Sequence, residues 1–431
     1  MARIGVFCLP MRSHMSLFLT LAAALREQGH DLIFFGLSMN AARIQEQGFE
    51  FRLIDPDAAL SGTLDGMLRQ MGTVEGGDAM KLLGRFEDLR YQIVLKNGPA
   101  LVERADLKAM LVDQAEFCGG SIAEAAGLPW VSVCNGLSLN SEPDVPPFLT
   151  SWSYSGTWAA AARNKLAYAA LNRASISRRN LINRYRKLWR LEPYRSFEES
   201  FSPFAQISQQ VREFDFPRRE LPGNFHYVGP LARGGTRSVE FPWGRLDGRP
   251  LIYASLGTVV NQNRGLFRII IDACSAIDAQ LVLSLGGAGN VDAYRDLPGS
   301  PVIVDFAPQL ELLRRASVAI THAGLNSTLE SLEQGVPLAA IPVAFDQPGV
   351  AARIRWVGAG DFIPSSKINA HQLRAMVQRV FEGSTYRAAA RRIQHSLANA
   401  GGVNEAVRII EEVIRTGRPV ASRFEASAFA S

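Results

Sequence analysis

The chain has 431 residues, 47% hydrophobic and 20% charged, with a net charge of +5. That balance excludes disordered and fibrous proteins and suits a globular chain of about two or three domains. No apolar run reaches the roughly 18 residues needed to cross a bilayer, and Ile4 to Pro10 is too short for a secretory signal core, so a cytoplasmic location is expected. Cys8, Cys118, Cys134 and Cys274 are widely spaced with no CxxC pairing, which predicts free thiols rather than a zinc site or a disulfide framework.

In chain order, short apolar runs alternate with helical patterns. Ile4 to Leu9, Asp31 to Gly36, Glu50 to Asp55, Ala109 to Asp113 and Trp130 to Asn135 read as buried parallel strands. Between the first two, Leu17, Leu21 and Leu25 share one helical face and Gly29 supplies the stop. The scheme repeats with Leu251 to Gly257, Gln280 to Gly286, Val302 to Ala307, Val318 to Thr321 and Pro337 to Pro342. The fold class is therefore α/β, with two doubly wound parallel-sheet domains. The expected division is an N-terminal domain over 1–232, a Gly/Pro-rich linker over 233–248, a C-terminal domain over 249–415 and a fraying tail over 416–431.

Charge is unevenly placed. Val145 to Leu191 contains no Asp or Glu but holds Arg163, Lys165, Arg173, Arg178, Arg179, Arg184, Arg186, Lys187 and Arg190. Together with Phe148, Trp152, Tyr154 and Trp158, this segment could lie on an anionic membrane, Arg178, Arg179 and Arg186 being the cations to reverse. A solvated helical face that contacts nothing explains the same residues equally well.

The densest polar cluster is "THAGLNSTLESLEQGVP", Thr321 to Pro337. It sits where a strand runs into a helix, the place where open α/β sheets bind ligands. Gly324 allows close backbone approach, and the free N–H groups of the first helical turn favour an anion. His322, Asn326 and Ser327 could add donors to a phosphate. Ser327 and Glu330 also match an S-x-x-E capping box, which by itself would account for both.

A wider window, "DFAPQLELL" (Asp305 to Leu313) and "GVPLAAIPVAFDQPGVAARI" (Gly335 to Ile354), resembles the signature of UDP-sugar-dependent glycosyltransferases with two Rossmann-like domains facing across a cleft, the GT-B type. The resemblance implies that Phe306 and Gln309 flank the uridine and that Glu330 accepts from the ribose hydroxyls. It implies that His322, Gly324, Asn326, Ser327, Thr328 and Thr258 meet the diphosphate, and that Asp346 and Gln347 hold the sugar, leaning toward glucose. Plant members often carry Cys and Trp where this chain has Ala323 and Leu325, so that Trp's contacts are absent or replaced.

No cofactor beyond the donor UDP-glucose and no metal are implied. Asp55-Pro56-Asp57 is a D-x-D more in keeping with a proline turn than with a divalent ion. Neither a G-x-G-x-x-G after the first strand nor a P-loop is found, which argues against dinucleotide redox chemistry and P-loop phosphoryl transfer. Nothing points to nucleic acid.

A transferase needs a base, and His14, just past the first strand, has the right chemistry, with Asp113 at a later strand end to orient it. P-x-x-x-H near the N-terminus with such a carboxylate is the catalytic pair implied by the resemblance, acting by direct displacement with inversion. His30, His226, His371 and His395 are expected to be packing residues. Met67, Met71 and Met80 with the aromatic residues above could line an apolar acceptor pocket, although most such residues pack a core.

"VDQAEFCGGSIAEAAGLPWVSVCNGLSLNSEPDVPP" and "FSPFAQISQQVREFDFPRRELPGNFHYVGPL" are similar to bacterial carotenoid glucosyltransferases that act on zeaxanthin. This implies a hydrophobic hydroxylated acceptor and a possible peripheral position at the inner membrane face. Soluble phenolics, flavonoids or macrolide-like acceptors are the alternative. A UDP-sugar epimerase or a non-catalytic nucleotide-sugar sensor would not require the His14 and Asp113 pair.

Overall fold

The computed structural model describes residues 1–55, 58–71, 76–231, 239–257, 264–287, 291–294 and 297–422. The first sheet contains β1 (Arg3–Phe7), β2 (Asp31–Gly36), β3 (Glu50–Leu53), β4 (Ala109–Asp113), β5 (Trp130–Cys134), β6 (Ala205–Ser208) and β7 (Phe225–Tyr227). They are ordered β3-β2-β1-β4-β5-β6-β7 and pair in parallel throughout. The second sheet contains β8 (Leu251–Ser255), β9 (Gln280–Ser284), β10 (Val302–Val304), β11 (Ala316–Thr321), β12 (Leu338–Ala340) and β13 (Gly360–Phe362). Its order is β10-β9-β8-β11-β12-β13, again parallel.

Each sheet reverses its winding between two central strands, β1 and β4 in one and β8 and β11 in the other. A crevice opens at the carboxyl ends of such a strand pair. The β1, β4 and β5 runs are apolar because helices cover both faces. The helix Arg12–Glu27, for example, buries Met15, Leu17, Phe18, Leu21, Ala22 and Leu25.

Three strands, β6, β7 and β13, go beyond the runs read from sequence. The described part of the expected linker is packed rather than free: Phe241 is buried in the second domain's core, and Gln280 donates to the Arg245 carbonyl at 2.8 Å. The helix Gly402–Thr416, grouped by chain position with the second domain, covers the first sheet. Its Val403, Ala406, Val407, Ile410 and Val413 join the core formed by the helix Arg12–Glu27 and by β1, β2 and β5. Fraying does not hold for residues 416–422, because Val420 donates to the Phe204 carbonyl at 2.9 Å and Ser422 to that of Gly223 at 2.7 Å. Residues 423–431 lie outside the described residues.

Cys118, Cys134 and Cys274 are buried free thiols, and Cys8 is half-buried and free. Among the described residues no helix is long and apolar enough to cross a membrane. No group of three or more His, Cys, Asp or Glu side chains among them could hold a metal ion. Pro56 and Asp57 of the D-x-D lie outside the described residues.

Candidate active site

On the first sheet, β1 ends at Phe7 and the next helix starts at Arg12, so His14 stands in its first turn. β4 is the neighbour of β1 and ends on Asp113, which brings the two side chains together from 99 positions apart. His14 Nδ1 lies 2.5 Å from Asp113 Oδ2. The carboxylate is 1% exposed and also accepts from the Ala115 and Leu9 N–H groups, at 3.0 and 3.4 Å. Burial alone would lower the His14 pKa, but the Asp113 charge and hydrogen bond, with help from Asp346, carry it above its ordinary value. The outcome is an unusually basic imidazole in a fixed orientation.

On the second sheet, β11 runs into the helix Leu325–Glu333 through His322, Ala323 and Gly324. The helix is capped by Gly324 with no side-chain hydrogen bond. Ser327 is thus the third helical residue rather than a cap. Glu330 accepts from the Gln309 amide, whose oxygen in turn accepts from the Tyr253 hydroxyl at 3.0 Å. The capping-box explanation of Ser327 and Glu330 therefore fails, and among the described residues no side chain caps the N–H groups of the first turn. A Cβ on Gly324 would stand 2.4 Å from His322 Nε2, and one on Gly257 2.7 Å from its Cε1, so glycine at both positions makes room for the imidazole. Burial lowers the His322 pKa to about 4, and the ring is neutral at pH 7.

Two buried polar atoms at this corner, His322 Nδ1 and Thr328 Oγ1, have no hydrogen-bond partner among the described residues. Thr328 is fully buried. Thr258 lies outside the described residues. Phe306 follows β10 and rests on Gly287, where a Cβ would stand 2.9 Å from the ring. Burial raises the Glu330 pKa while Gln309 opposes it. Ala323 and Phe345, with φ of 62° and 56°, hold left-handed backbone in the loops carrying His322 and Asp346, the type of local strain that gathers at ligand sites.

The two halves meet across the cleft. Gln209, just after β6, donates to Asn326 Oδ1 at 2.6 Å, and Leu137 N–H donates to Asp346 Oδ2 at 3.2 Å. Asp346 is close enough for its charge to help raise the His14 pKa, and burial raises its own carboxyl pKa against the opposing pull of the Leu137 N–H and His14. The Gln347 oxygen accepts from the Val343 and Ala344 N–H groups at 2.8 and 2.9 Å, and its NH2 group has no partner among the described residues. Behind this, Arg353 Nε lies 2.7 Å from Asp215 Oδ1, each side chain 1% exposed, and pins the helix Gln347–Trp356 to the first domain.

Residues 268–413 match the family described as erythromycin biosynthesis protein CIII-like, C-terminal domain. Over 427 residues the chain is 34% identical to a zeaxanthin glucosyltransferase of Pantoea ananas, covering 98% of both chains. A second zeaxanthin glucosyltransferase, from Pseudescherichia vulneris, is 30% identical over 96% of this chain and 98% of its own. The chain belongs to the GT-B glycosyltransferases. Its fold matches the crystal structure of the calicheamicin glycosyltransferase CalG4 with a TM-score of 0.71 at 18% identity, over 97% of this chain and 99% of that one.

In this glycosyltransferase His14, Asp113 and Asp346 converge from both domains, while Phe306, Gln309, His322, Gly324, Asn326, Ser327 and Glu330 cluster on the second. Sequence reasoning missed Gln209, the Leu137 N–H, Tyr253 and the Asp215–Arg353 pair. Gln209 had a signal, since it directly follows the strand in "AQISQQ", but β6 itself had not been read. Of the basic segment, Arg186 is buried: it reaches Glu124 at 2.8 Å and the Glu192 carbonyl at 2.6 Å and stacks on Tyr194. Arg178 is paired with Asp88 at 2.8 Å. Arg178 forms a surface pair, whereas Arg186 holds the fold, and reversing Arg186 would test stability rather than membrane contact.

Proposed function

We propose that the enzyme transfers glucose from UDP-glucose to a hydroxyl of a hydrophobic acceptor, a carotenoid such as zeaxanthin, with inversion at the anomeric carbon. The observation that carries the reading is the His14–Asp113 pair facing Asp346 across the cleft, in a chain whose full-length relatives are named for zeaxanthin. His14 Nε2 takes the acceptor proton as its oxygen bonds to the anomeric carbon. The bond from that carbon to the diphosphate breaks, its electron pair leaving with UDP. Asp113 stabilises the imidazolium and holds its tautomer. Neutral His322, Asn326, Ser327 and the first-turn N–H groups receive the diphosphate charge, and Glu330 accepts from the ribose hydroxyls. Asp346 and the Gln347 NH2 hold the sugar hydroxyls. In this reading no metal carries the leaving-group charge, so activity persists in EDTA.

Because the His14 pKa is raised and the reaction needs its neutral form, kcat/KM falls as pH drops through a midpoint above the ordinary value of about 6.5. Asp113→Asn removes the charge that raises it. The acid limb moves to lower pH and kcat drops at least about 100-fold; a pH–rate profile with the same limb in both enzymes contradicts the pairing. Glu330→Ala removes a charged acceptor and raises the KM for UDP-glucose about 10- to 100-fold, with a smaller effect on kcat.

The test of the acceptor is a panel of zeaxanthin in vesicles, a phenol, a flavonoid and a macrolide aglycone, each with UDP-glucose or a TDP-sugar, read by hexosyl mass gain and nucleotide release. Preferred turnover of zeaxanthin with UDP-glucose supports the reading. Preferred turnover of a soluble acceptor or a TDP-sugar overturns that part of it.

A further inference from the structure

The helix Trp158–Ala174 turns its largest apolar side chains outward. Its inner side is fixed by polar contacts: buried Asn164 donates to the Pro143 carbonyl at 2.9 Å, and the Tyr168 hydroxyl to that of Val145 at 3.1 Å. Its outer side carries Trp158, Ala162, Lys165, Leu166, Ala169 and Arg173, all exposed, at the three- and four-residue spacings that place side chains on one helical face. Trp158 is 84% exposed and Leu166 74%, on a face where a soluble helix normally shows charge.

The next helix, Ile176–Leu188, exposes Arg184, Lys187 and Leu188, the last at 70%. Neither helix contains an acid, and the neighbouring carboxylates Asp88 and Glu124 are taken by Arg178 and Arg186. The same connection between β5 and β6 contains Leu137, whose N–H meets Asp346 in the cleft. The outward face and the site thus belong to the same connection.

We propose that this face seats the enzyme on an anionic lipid bilayer. Trp158 and Leu166 enter the headgroup layer, and Lys165, Arg173, Arg184 and Lys187 lie over the lipid phosphates. The match of an acid-free cationic rim to an anionic surface selects lipid over a second copy of this equally basic face, which would repel itself. The proposal rests on the hydrophobic-acceptor reading, because the membrane is where such an acceptor is held.

The test is flotation of the full chain with phosphatidylglycerol–phosphatidylcholine vesicles against phosphatidylcholine alone, at low and high salt. The wild type floats with the anionic vesicles and is released by salt. Trp158→Ser with Leu166→Ser, and separately Lys165→Glu with Arg173→Glu, each lower binding about tenfold or more. Melting temperature and turnover of detergent-dissolved acceptor stay unchanged, while turnover of vesicle-held acceptor falls in parallel. Absence of wild-type flotation, unchanged binding in both double variants, or a dimer by light scattering that the Trp158 and Leu166 pair dissociates, overturns the proposal. If flotation behaves as stated while no hydrophobic acceptor is turned over, the membrane face stands and the acceptor reading falls.

Discussion

His14→Ala abolishes transfer, lowering kcat by about 10³-fold or more, while UDP still binds. The two outcomes separate because His14 belongs to the first sheet and the corner proposed for the diphosphate to the second. His14 contributes through Nε2 while its Nδ1 is held 2.5 Å from Asp113, and alanine removes the imidazole that takes the acceptor proton. Steady-state rates alongside calorimetric titration of UDP check both parts. Retained turnover would show that another group is the base, and lost UDP binding would show that His14 supports the donor site instead. The raised pKa adds a consistency condition: the wild-type acid limb vanishes with the imidazole that causes it.

The second large effect is expected at Arg353. Burial pushes the Asp215 carboxyl up, but Arg218 and Arg353 outweigh it and hold its pKa well below the usual carboxylate range. Arg353→Ala leaves the buried Asp215 with Arg218, the Tyr227 hydroxyl and the Phe216 N–H and costs about 3 kcal/mol. A group with a depressed folded pKa contributes stability above its unfolded value and loses it as pH falls through the folded one. In the variant the Asp215 pKa rises, so acid unfolding begins at higher pH. The loss also reaches the site, since Arg353 anchors the helix that begins at Gln347 beside Asp346. Transfer therefore falls along with stability. Denaturant melts across pH check this, and Asp215→Asn in the Arg353→Ala background recovers part of the stability. An Arg353→Ala melt that matches the wild type at every pH contradicts the clamp.

Much of the architecture was legible because buried parallel strands are written as continuous apolar runs. β1, β4, β5, β8, β9 and β11 all carry such runs, and placing the strand ends also placed His14, Asp113 and His322. The missed strands show the limit of that signal. β13 is only Gly360–Phe362, and β6, "AQIS", mixes polar and apolar residues. The helix Gly402–Thr416 has a regular apolar face that fits either sheet, so its return to the first domain is settled by packing and not by period.

At the site, residue chemistry marked the His14 and Glu330 regions, but their partners were hidden. Nothing local to "AQISQQ" or "NGLSL" tells that Gln209 and the Leu137 N–H meet Asn326 and Asp346, because those contacts join segments far apart in sequence from two different domains. The S-x-x-E pattern shows the reverse case. It satisfied a local rule, yet the helix starts at Leu325 under a glycine cap, and Glu330 turns to Gln309 instead.

The most direct measurement of the central claim is the product formed from UDP-glucose and zeaxanthin by the purified enzyme in EDTA, with released UDP counted against glucoside and the anomeric configuration read by NMR. One UDP per β-glucoside is the predicted result. An α-glucoside, UDP release without glucoside, or dependence on an added divalent ion would contradict it.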